Sequence, residues 1–486
     1  MLVSPEFDII IIGAGINGAG IARDAAMRGL KVLLLDKGDI ASGTSSASTR
    51  LIHGGLRYLE HFEFGLVRES LRERETLLRI APHLVKPLPI AIPIYKRSKR
   101  GPLTVRAGMI AYDLLSIGKS LPRHRMLSRA ETLAQSPGLN PDALLGSALY
   151  FDAQVEFAER LVVDNALDAR DRGAEVVTYA PVTKIIAEDG VVTGVEFDAD
   201  GQTRVARANV VINAAGPWVD RLLERVPFEA PRLIGGTKGS HIVVAAFSGA
   251  SPNAIYLEAQ SDRRPFFIIP WNGNYLIGTT DVRFEEDPDQ VRSESWEIDY
   301  LLTETNRAFP GARLTHDQIL FTYSGVRPLP WTRNEDEQSI TRRHFIREHP
   351  RLKNLLSIVG GKLTTYRSLA EECVDLVFRK LGRPSPACLT DQEVLNSTPP
   401  REFTEAVVFS FKHELAKTLA DCFLRRTMRG LSADLGLRDL EAAAEICVRL
   451  LGWSDERAKR EIENYKREVS RRGSSRIDMD LIRITL

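Results

Sequence analysis

Residues 7–39 read FDIIIIGAGINGAGIARDAAMRGLKVLLLDKGD: an apolar run, a glycine cluster and a second apolar run. Order and spacing are those of a dinucleotide-binding βαβ unit. Phe7 to Ile12 ends in four consecutive isoleucines with no polar alternation, as expected of a parallel strand covered on both faces. Gly13, Gly15 and Gly18 follow as G-x-G-x-x-G. Glycine is required three times there: for the tight turn, for backbone approach to a pyrophosphate, and for a helix lying close on the sheet. The phosphates would rest on the free N–H groups and positive end of the helix expected from Gly18 to Arg28. Ala19, Gly20, Ala22, Ala25 and Ala26 are small enough for that close packing. A second strand, Lys31 to Leu35, ends at Asp36, roughly 20 residues beyond the glycines, where a carboxylate takes both hydroxyls of an adenosine ribose. The same negative charge disfavours a 2′-phosphate and hence NADP. These residues leave FAD and NAD both open.

Outward from this unit, 486 residues are enough for two or three domains. Lys and Arg number 65 against 64 Asp and Glu, a net charge of +1 that argues against a dedicated nucleic-acid surface. Cys373, Cys388, Cys422 and Cys447 form no C-x-x-C and no metal-ligand spacing, so reduced thiols and no metal site are expected. The start lacks the basic and apolar regions of a secretory leader, and no uncharged apolar run has the length of a membrane span. The expected location is cytoplasmic, with any membrane contact peripheral, on the inner face.

After Asp36, KGDIASGTSSASTRLIHGGLRYLEHFEFG is rich in glycine and hydroxyl residues, suiting a loop and short helix against a cofactor. Phe64 to Ile80 has helical apolar spacing among many charges and reads as a surface helix. LPIAIPIYK reads as an extended strand leaving the first domain. The segment Lys96 to Ile110 sets a basic run beside Leu103, Val105, Met109 and Ile110: a solvated charged face, or the pattern of a site resting on anionic lipid. A helix follows Val155, and short strands are expected at Glu175 to Thr178, Val182 to Ala187, Val191 to Phe197 and Val210 to Asn213, with Asp189-Gly190 and Asp200-Gly201 as turns. From Pro227 to about Trp331 the aromatic and alternating runs predict a mostly antiparallel sheet. NLLSIVGGKLTTYRSLAEECVDLVFRKLG returns to strand, double glycine and helix. A Pro-rich linker spans about Pro384 to Pro400, and Phe403 to Arg471 reads as helical, with Trp453, Ser454 and Asp455 opening the final helix.

IIGAGINGAGIARDAAMRGLKVLLLDKGD, TSSASTRLIHGGLRYLEH, VVINAAGPWV, KGSHIVV, FFIIPW with LIGTTD, TYSGVRPL and VGGKLTTYR together closely resemble the FAD-dependent glycerol-3-phosphate dehydrogenases, within the D-amino-acid-oxidase-like flavoproteins. The resemblance covers Phe7 to about Ala370. Two departures stand out: a C-terminal helical module shorter than in the bacterial aerobic members, and Asp36 where glutamate is usual. The implied fold is α/β: a Rossmann-like FAD domain over residues 1–85, 150–226 and 335–382, and an interleaved, mostly antiparallel substrate domain over 86–149 and 227–334. A linker at 383–402 and a C-terminal helical domain at 403–486 complete it. The resemblance implies non-covalent FAD on Gly13, Gly15, Gly18, Asp36, Lys37, Thr44, Ser45, Ser46, Val182, Ala215, Gly216, Gly361, Leu363 and Thr364. Gly360 and Gly361 precede a helix start whose N–H groups and dipole could stabilise negative charge on reduced flavin.

The implied activity is oxidation of sn-glycerol 3-phosphate, with electrons passed to a quinone or another acceptor. Hydride transfer from a secondary alcohol needs a flavin facing the carbinol hydrogen, a proton acceptor and a phosphate anchor. Arg57 and Lys362 are the phosphate anchors, as fork and point charge. Arg327 is assigned to the reacting oxygen. His241 is the favoured base and His53 the second, since histidine has its ordinary pKa near working pH. Tyr58 and Tyr256 are placed on the pocket wall. Two other classes stay open at this stage: an FAD-dependent oxidase of another small alcohol, hydroxy acid or amine, for which one cation would suffice, and a non-catalytic dinucleotide-binding interaction module. Oligomeric state is not readable from the sequence.

Overall fold

A computed structural model describes residues 6–59, 62–226, 228–333, 340–395 and 397–472. The expected domain edges at 1–5, 227 and 334–335, the end at 473–486, and Glu60 and His61 of the quoted motif lie outside the described residues.

Phe7–Ile12 and Val32–Leu35 are parallel neighbours, Ile9 opposite Val32 and Ile12 opposite Leu35, and Gln202–Asn213 flanks the first strand on its other side. Leu355–Val359 and Glu175–Val177 extend this parallel core, and Phe345–Glu348 closes one edge antiparallel. Val182–Glu188 and Val191–Ala199 form an antiparallel meander onto the first half of Gln202–Asn213, completing eight strands. The helices Ile16–Met27, Ala158–Asp171 and Tyr366–Leu381 bury their apolar faces together against this sheet. Gly20 permits the close approach: a Cβ there would lie 2.6 Å from the Tyr366 ring.

A ten-stranded, mostly antiparallel sheet stands beside it. Its order is Val282–Arg283, Thr237–Val244, Asn274–Gly278, Pro265–Trp271, Ala254–Glu258, Val85–Tyr95, Leu144–Val155, Leu51–Ile52, with Ile319–Arg327 also on Thr237–Val244 and Arg125–Ser128 on Leu144–Val155. Leu144–Val155 pairs with Val85–Tyr95 over its whole length, so the boundary expected at 149–150 falls inside a strand. Leu51–Ile52, expected in the cofactor domain, pairs with Ala153 and Gln154 of the second sheet. The hydroxyl-rich loop therefore crosses from one sheet to the other.

Three further expectations change. Phe64–Ile80 is a helix, but not a surface one: Glu73 and Arg74 are buried with its leucines, because Glu73 pairs with Arg367 at 2.6 Å and Arg74 with Asp152 at 2.6 Å. The expected linker is packed down, since Leu395 is buried and donates its N–H to the Ile80 carbonyl at 2.7 Å, while Arg23 donates to the Glu393 carbonyl. The C-terminal region is not continuously helical. Between Phe403–His413 and Leu440–Leu451 lie only the helical turn Leu419–Asp421 and short π and 3-10 turns, and residues 452–454 link Leu440–Leu451 to Asp455–Ser470 without helix. The last helix is capped by the Ser454 hydroxyl, which accepts from the Arg457 N–H at 3.2 Å.

That module is bolted to the cofactor domain by charge. Asp39, fully buried three residues beyond Asp36, accepts from Arg425 Nε at 2.5 Å and from Arg426 Nη1 and Nη2 at 2.7 and 2.8 Å. Burial alone would raise the Asp39 carboxyl; Arg426 and Arg425 outweigh it and hold it below the usual range. Asp39→Asn should cost about 3–5 kcal/mol, the penalty for leaving buried cations unpaired. A folded-state pKa below the unfolded one gives stability that is present above the unfolded value and lost as pH falls through the folded one. Denaturant titrations at neutral and acid pH should show the variant's deficit shrinking as acidity rises.

Candidate active site

Both central strands end at a cavity of about 380 Å³ outside their carboxyl ends, the position at which open α/β sheets bind ligands. Gly13 (φ +109°) and Gly15 line it. A Cβ on Gly13 would lie 2.6 Å from the Ala214 carbonyl oxygen, and one on Gly15 3.3 Å from Ser45 Oγ. Gly18 does not line the cavity; it packs against Gly13 and Ile11, which is the helix-on-strand role of the third glycine. The Ile16–Met27 helix starts at Gly15, which has no side chain to cap it, and has no acid in its first turn; Ser45 Oγ takes the Ile16 N–H at 3.0 Å, and no negative charge offsets the positive end of the helix.

Asp36 closes the far end of this cavity. Its Oδ2 accepts the Ala14 N–H at 2.6 Å and its Oδ1 the Gly38 N–H at 2.8 Å. Burial pushes its carboxyl up and these two donors oppose that. Lys37 pairs with Asp289 at 2.6 Å and lies 4.2 Å from the Trp218 ring. Val182, Ala215, Gly216, Gly361 and Leu363 line the cavity as expected. So do Thr44, whose hydroxyl donates to the Val326 carbonyl, and Ser45, whose Oγ accepts the Ile16 N–H.

Ser46 is a correction: it reaches neither cavity, and its hydroxyl donates to the Gly43 carbonyl at 2.9 Å. In the 3-10 turn Thr44–Ala47, residues three apart share a side, so Ser45 and Ser48 line the wall and Ser46 points elsewhere. Sequence reasoning also missed Asn17, Trp218 and Arg221 on this wall. Trp218 belongs to the quoted VVINAAGPWV; Asn17 sits inside the glycine motif as one of its variable positions. Asn17 Oδ1 and Trp218 Nε1 are buried without a hydrogen-bond partner among the described residues. A groove two glycines keep open, a helix start without an acidic residue, a terminal carboxylate and two orphaned polar atoms together fit an extended dinucleotide.

A second cavity, of about 300 Å³, shares Thr44, Ser48, Pro328, Gly361, Lys362 and Leu363 with the first. His53, Arg57, Tyr58, Tyr256, His241, Arg327 and Lys362 all line it, together with Thr364, which accepts the His53 N–H at 3.2 Å. Thr237–Val244 and Ile319–Arg327 lie side by side, with His241 opposite Tyr323 and Thr237 opposite Arg327. His241 stacks on Tyr323 at 4.8 Å, and its Nε2 is 2.9 Å from Thr49 Oγ1. Its Nδ1 is buried with no partner among the described residues.

Arg327 is held at 3.0 Å by Asp281 and at 3.0 Å by Thr279 Oγ1; Asp281 also takes Arg342 at 2.8 Å. Lys362 Nζ stands 4.0 Å from the Tyr58 ring and 3.4 Å from Ser70 Oγ. Arg57 makes no ion pair with a described residue, and its guanidinium is 5.9 Å from the Tyr58 ring. Arg342, which sequence reasoning missed, thus joins Arg57, Arg327 and Lys362 on this wall, where Asp281 is the one carboxylate among the described lining residues; Arg50 and Arg264 line it too but are paired with Glu159 and Asp262 outside it.

Burial and this excess of positive charge together shift both histidines and Tyr58. Burial, helped by Arg327 and Arg50, drops His241 well below its ordinary value. Burial and the charges of Lys362, Arg57 and Arg74 bring His53 to about 4, against an opposing pull from Asp152. Both imidazoles are neutral at working pH and can accept a proton. Burial would raise the Tyr58 phenol, but Lys362, Arg342 and Arg57 leave it below its usual value. Burial lowers Lys362 as well. A pocket with three unbalanced cations and neutral histidines is suited to a dianionic substrate that loses a proton. Among the described residues no cluster of His, Cys, Asp and Glu could hold a metal.

Residues 8–374 match the family of FAD-dependent oxidoreductases, and residues 363–458 match the C-terminal domain of alpha-glycerophosphate oxidase. The chain belongs to the FAD-dependent oxidoreductase family, and the cofactor that its first cavity fits is FAD. It is 43% identical to a glycerol-3-phosphate dehydrogenase of Synechocystis over an alignment of 529 residues, covering 94% of this chain and 95% of that one. It is also 43% identical to a D-erythritol 1-phosphate dehydrogenase of Brucella abortus, covering 76% of this chain and 73% of the relative. Among solved structures, the FAD complex of the Bacillus halodurans glycerol-3-phosphate dehydrogenase superposes with a TM-score of 0.78 at 27% identity, over 96% of this chain and 95% of that one.

Proposed function

We propose that the protein oxidises sn-glycerol 3-phosphate to dihydroxyacetone phosphate, passing the electrons on to a quinone or another acceptor. The carrying observation is the cation surplus of Arg57, Arg327, Arg342 and Lys362 over Asp281 in a cavity contiguous with the FAD groove. Bound FAD supplies the hydride acceptor. The chain's own groups divide the remaining work. Arg57 and Lys362 take the phosphate dianion, the arginine by its fork and the lysine as a compact charge. Arg327, fixed by Asp281 and Thr279, faces the reacting oxygen and stabilises developing alkoxide. His241 receives the hydroxyl proton, with His53 as the second candidate. A bound dianion offsets the cations that depress both histidines, so the substrate itself raises the proton affinity of the base.

An oxidase of amines or hydroxy acids needs one cation for a carboxylate, and the extra cations here disfavour it. A purely binding module would have no use for buried neutral histidines beside them.

For location, no helix among the described residues is long and apolar enough to cross a membrane. The Pro102–Leu115 helix keeps Val105 and Met109 in the core, contrary to a wholly surface-facing apolar set. It leaves Leu103 82%, Leu114 62% and Ile110 45% exposed beside the basic run 96–100. That pairing supports a peripheral contact with anionic lipid on the cytoplasmic face, where a quinone would be met. The activity is tested by anaerobic turnover of the holoenzyme: dihydroxyacetone phosphate should appear in equal amount to the flavin reduced.

A further inference from the structure

Behind the second cavity, a buried hydrogen-bond chain runs from the inner face of the Pro102–Leu115 helix to the turn that presents His53. Arg74 Nη1 donates to Asp152 Oδ1 at 2.6 Å, and Tyr112 Oη donates to the Asp152 oxygens at 2.8 and 3.0 Å. The Gly54 N–H in turn donates to Tyr112 Oη at 2.9 Å. Arg74, Asp152 and Tyr112 are all buried.

Direction is forced at each link. A carboxylate only accepts, so the phenol proton is committed to Asp152 and the phenol lone pair is what remains for Gly54. Burial and the Asp152 charge push the Tyr112 phenol well above its ordinary value, so that proton stays in place at any working pH. The turn has no slack, because a Cβ on Gly54 would lie 2.7 Å from Leu71 Cδ2 and would meet the phenol oxygen as well. On its other side the same turn is held by Thr364, two residues after Lys362, through the His53 N–H. Gly55 (φ +72°) then turns the chain toward Arg57. The strip bearing His53 and Arg57 is thus gripped at two successive amides, by Thr364 from the cofactor side and by Tyr112 from the outer helix.

We infer that Tyr112, though it does not line the cavity, is a positioning residue for the reaction: through the Gly54 amide it sets the orientation of the His53–Arg57 strip against the substrate. The inference rests on the proposed reading of that cavity. It also ties the active-site turn to a helix whose opposite side is exposed, with one hydroxyl as the link.

The test is single-turnover reduction of the FAD-loaded protein by sn-glycerol 3-phosphate, with rates taken per bound flavin. Tyr112→Phe keeps the ring and its edge contact with Tyr150 but removes the acceptor for Gly54. Its limiting reduction rate should fall roughly ten- to hundredfold, the scale of sub-ångström to 1 Å misplacement of reacting groups. Its half-saturating substrate concentration should rise as well, because the phosphate anchor Arg57 lies on the same strip, while its FAD content stays near wild type. Ser116→Ala is the comparison, since the Ser116 hydroxyl donates to the Tyr112 carbonyl at 2.9 Å and closes the same helix without touching Gly54. It should lower the melting temperature and leave the rate unchanged. A Tyr112→Phe protein at wild-type rate, equal slowing in both variants, or outright loss of FAD or fold in Tyr112→Phe overturns the inference. If the wild type is not reduced by sn-glycerol 3-phosphate, it is the substrate reading that fails. The same pair is then compared on the polyol phosphate that does reduce it.

Discussion

Plain glycerol should reduce the bound flavin on the order of 10⁴-fold more slowly than sn-glycerol 3-phosphate. Sites built to pair a polar group reject its absence by such factors, because their own buried groups are left unpaired. Here the unpaired groups would be cations. Lys362 is already destabilised by burial, and Arg57 has no ion-pair partner among the described residues. Arg327 and Arg342 already share Asp281, which leaves that carboxylate committed. The phosphate dianion is what balances the remaining charge. Arg57→Ala removes a charge-assisted fork worth about 1.5–3 kcal/mol, so the substrate concentration for half-maximal reduction should rise roughly ten- to hundredfold. Lys362→Ala should act in the same direction, and inorganic phosphate should compete with substrate. Comparable rates for glycerol and its phosphate, measured by stopped-flow reduction, would remove the phosphate anchor and leave only an FAD oxidoreductase.

The second large effect concerns the proton. His241→Ala should slow flavin reduction by about 10²- to 10⁴-fold, the usual contribution of a positioned base, with a smaller change in binding. His53→Ala should do less; the reverse order would exchange the two roles. The pH profile carries an independent check. Both free-enzyme histidines are held low, His53 at about 4 and His241 well below its ordinary value, so neither becomes protonated near neutrality. The acid limb of kcat/KM should therefore fall near about pH 6, where the substrate phosphate dianion takes up a proton and becomes a monoanion. A limb that moves to higher pH with the corresponding phosphonate, whose last ionisation lies above that of the phosphate ester, belongs to the substrate; one that stays in place belongs to a histidine.

What could be read from the chain alone was whatever is encoded locally. The first strand, the glycines, the helix behind them and Asp36 each follow from periodicity and residue type within a few dozen positions. The seven residues expected on the substrate side converge on one cavity, although they come from four distant segments. The failures have a common physical origin in tertiary partners. Glu73 and Arg74 read as solvated charges because Arg367 and Asp152, which neutralise them, lie far along the sequence. Leu144–Val155 gave no clear strand signal; Gly146 and Asp152 interrupt it, and its pairing with Val85–Tyr95 supplies the extended conformation. Arg342 stands in no motif, and only the fold sets it beside Asp281. Ser46 was separated from Ser45 and Ser48 by the pitch of a single 3-10 turn.

The similarity to both a glycerol-3-phosphate and a D-erythritol 1-phosphate dehydrogenase makes the phosphate end of the substrate the shared element and the polyol length the open contrast. Anaerobic mixing of the purified, FAD-loaded protein with sn-glycerol 3-phosphate, followed through the flavin absorbance, tests the central claim most directly. Rapid and complete bleaching with that substrate, saturating in its concentration, is the expected result. Persistent oxidised flavin, or bleaching by a longer polyol phosphate or an unphosphorylated alcohol but not by sn-glycerol 3-phosphate, would contradict it.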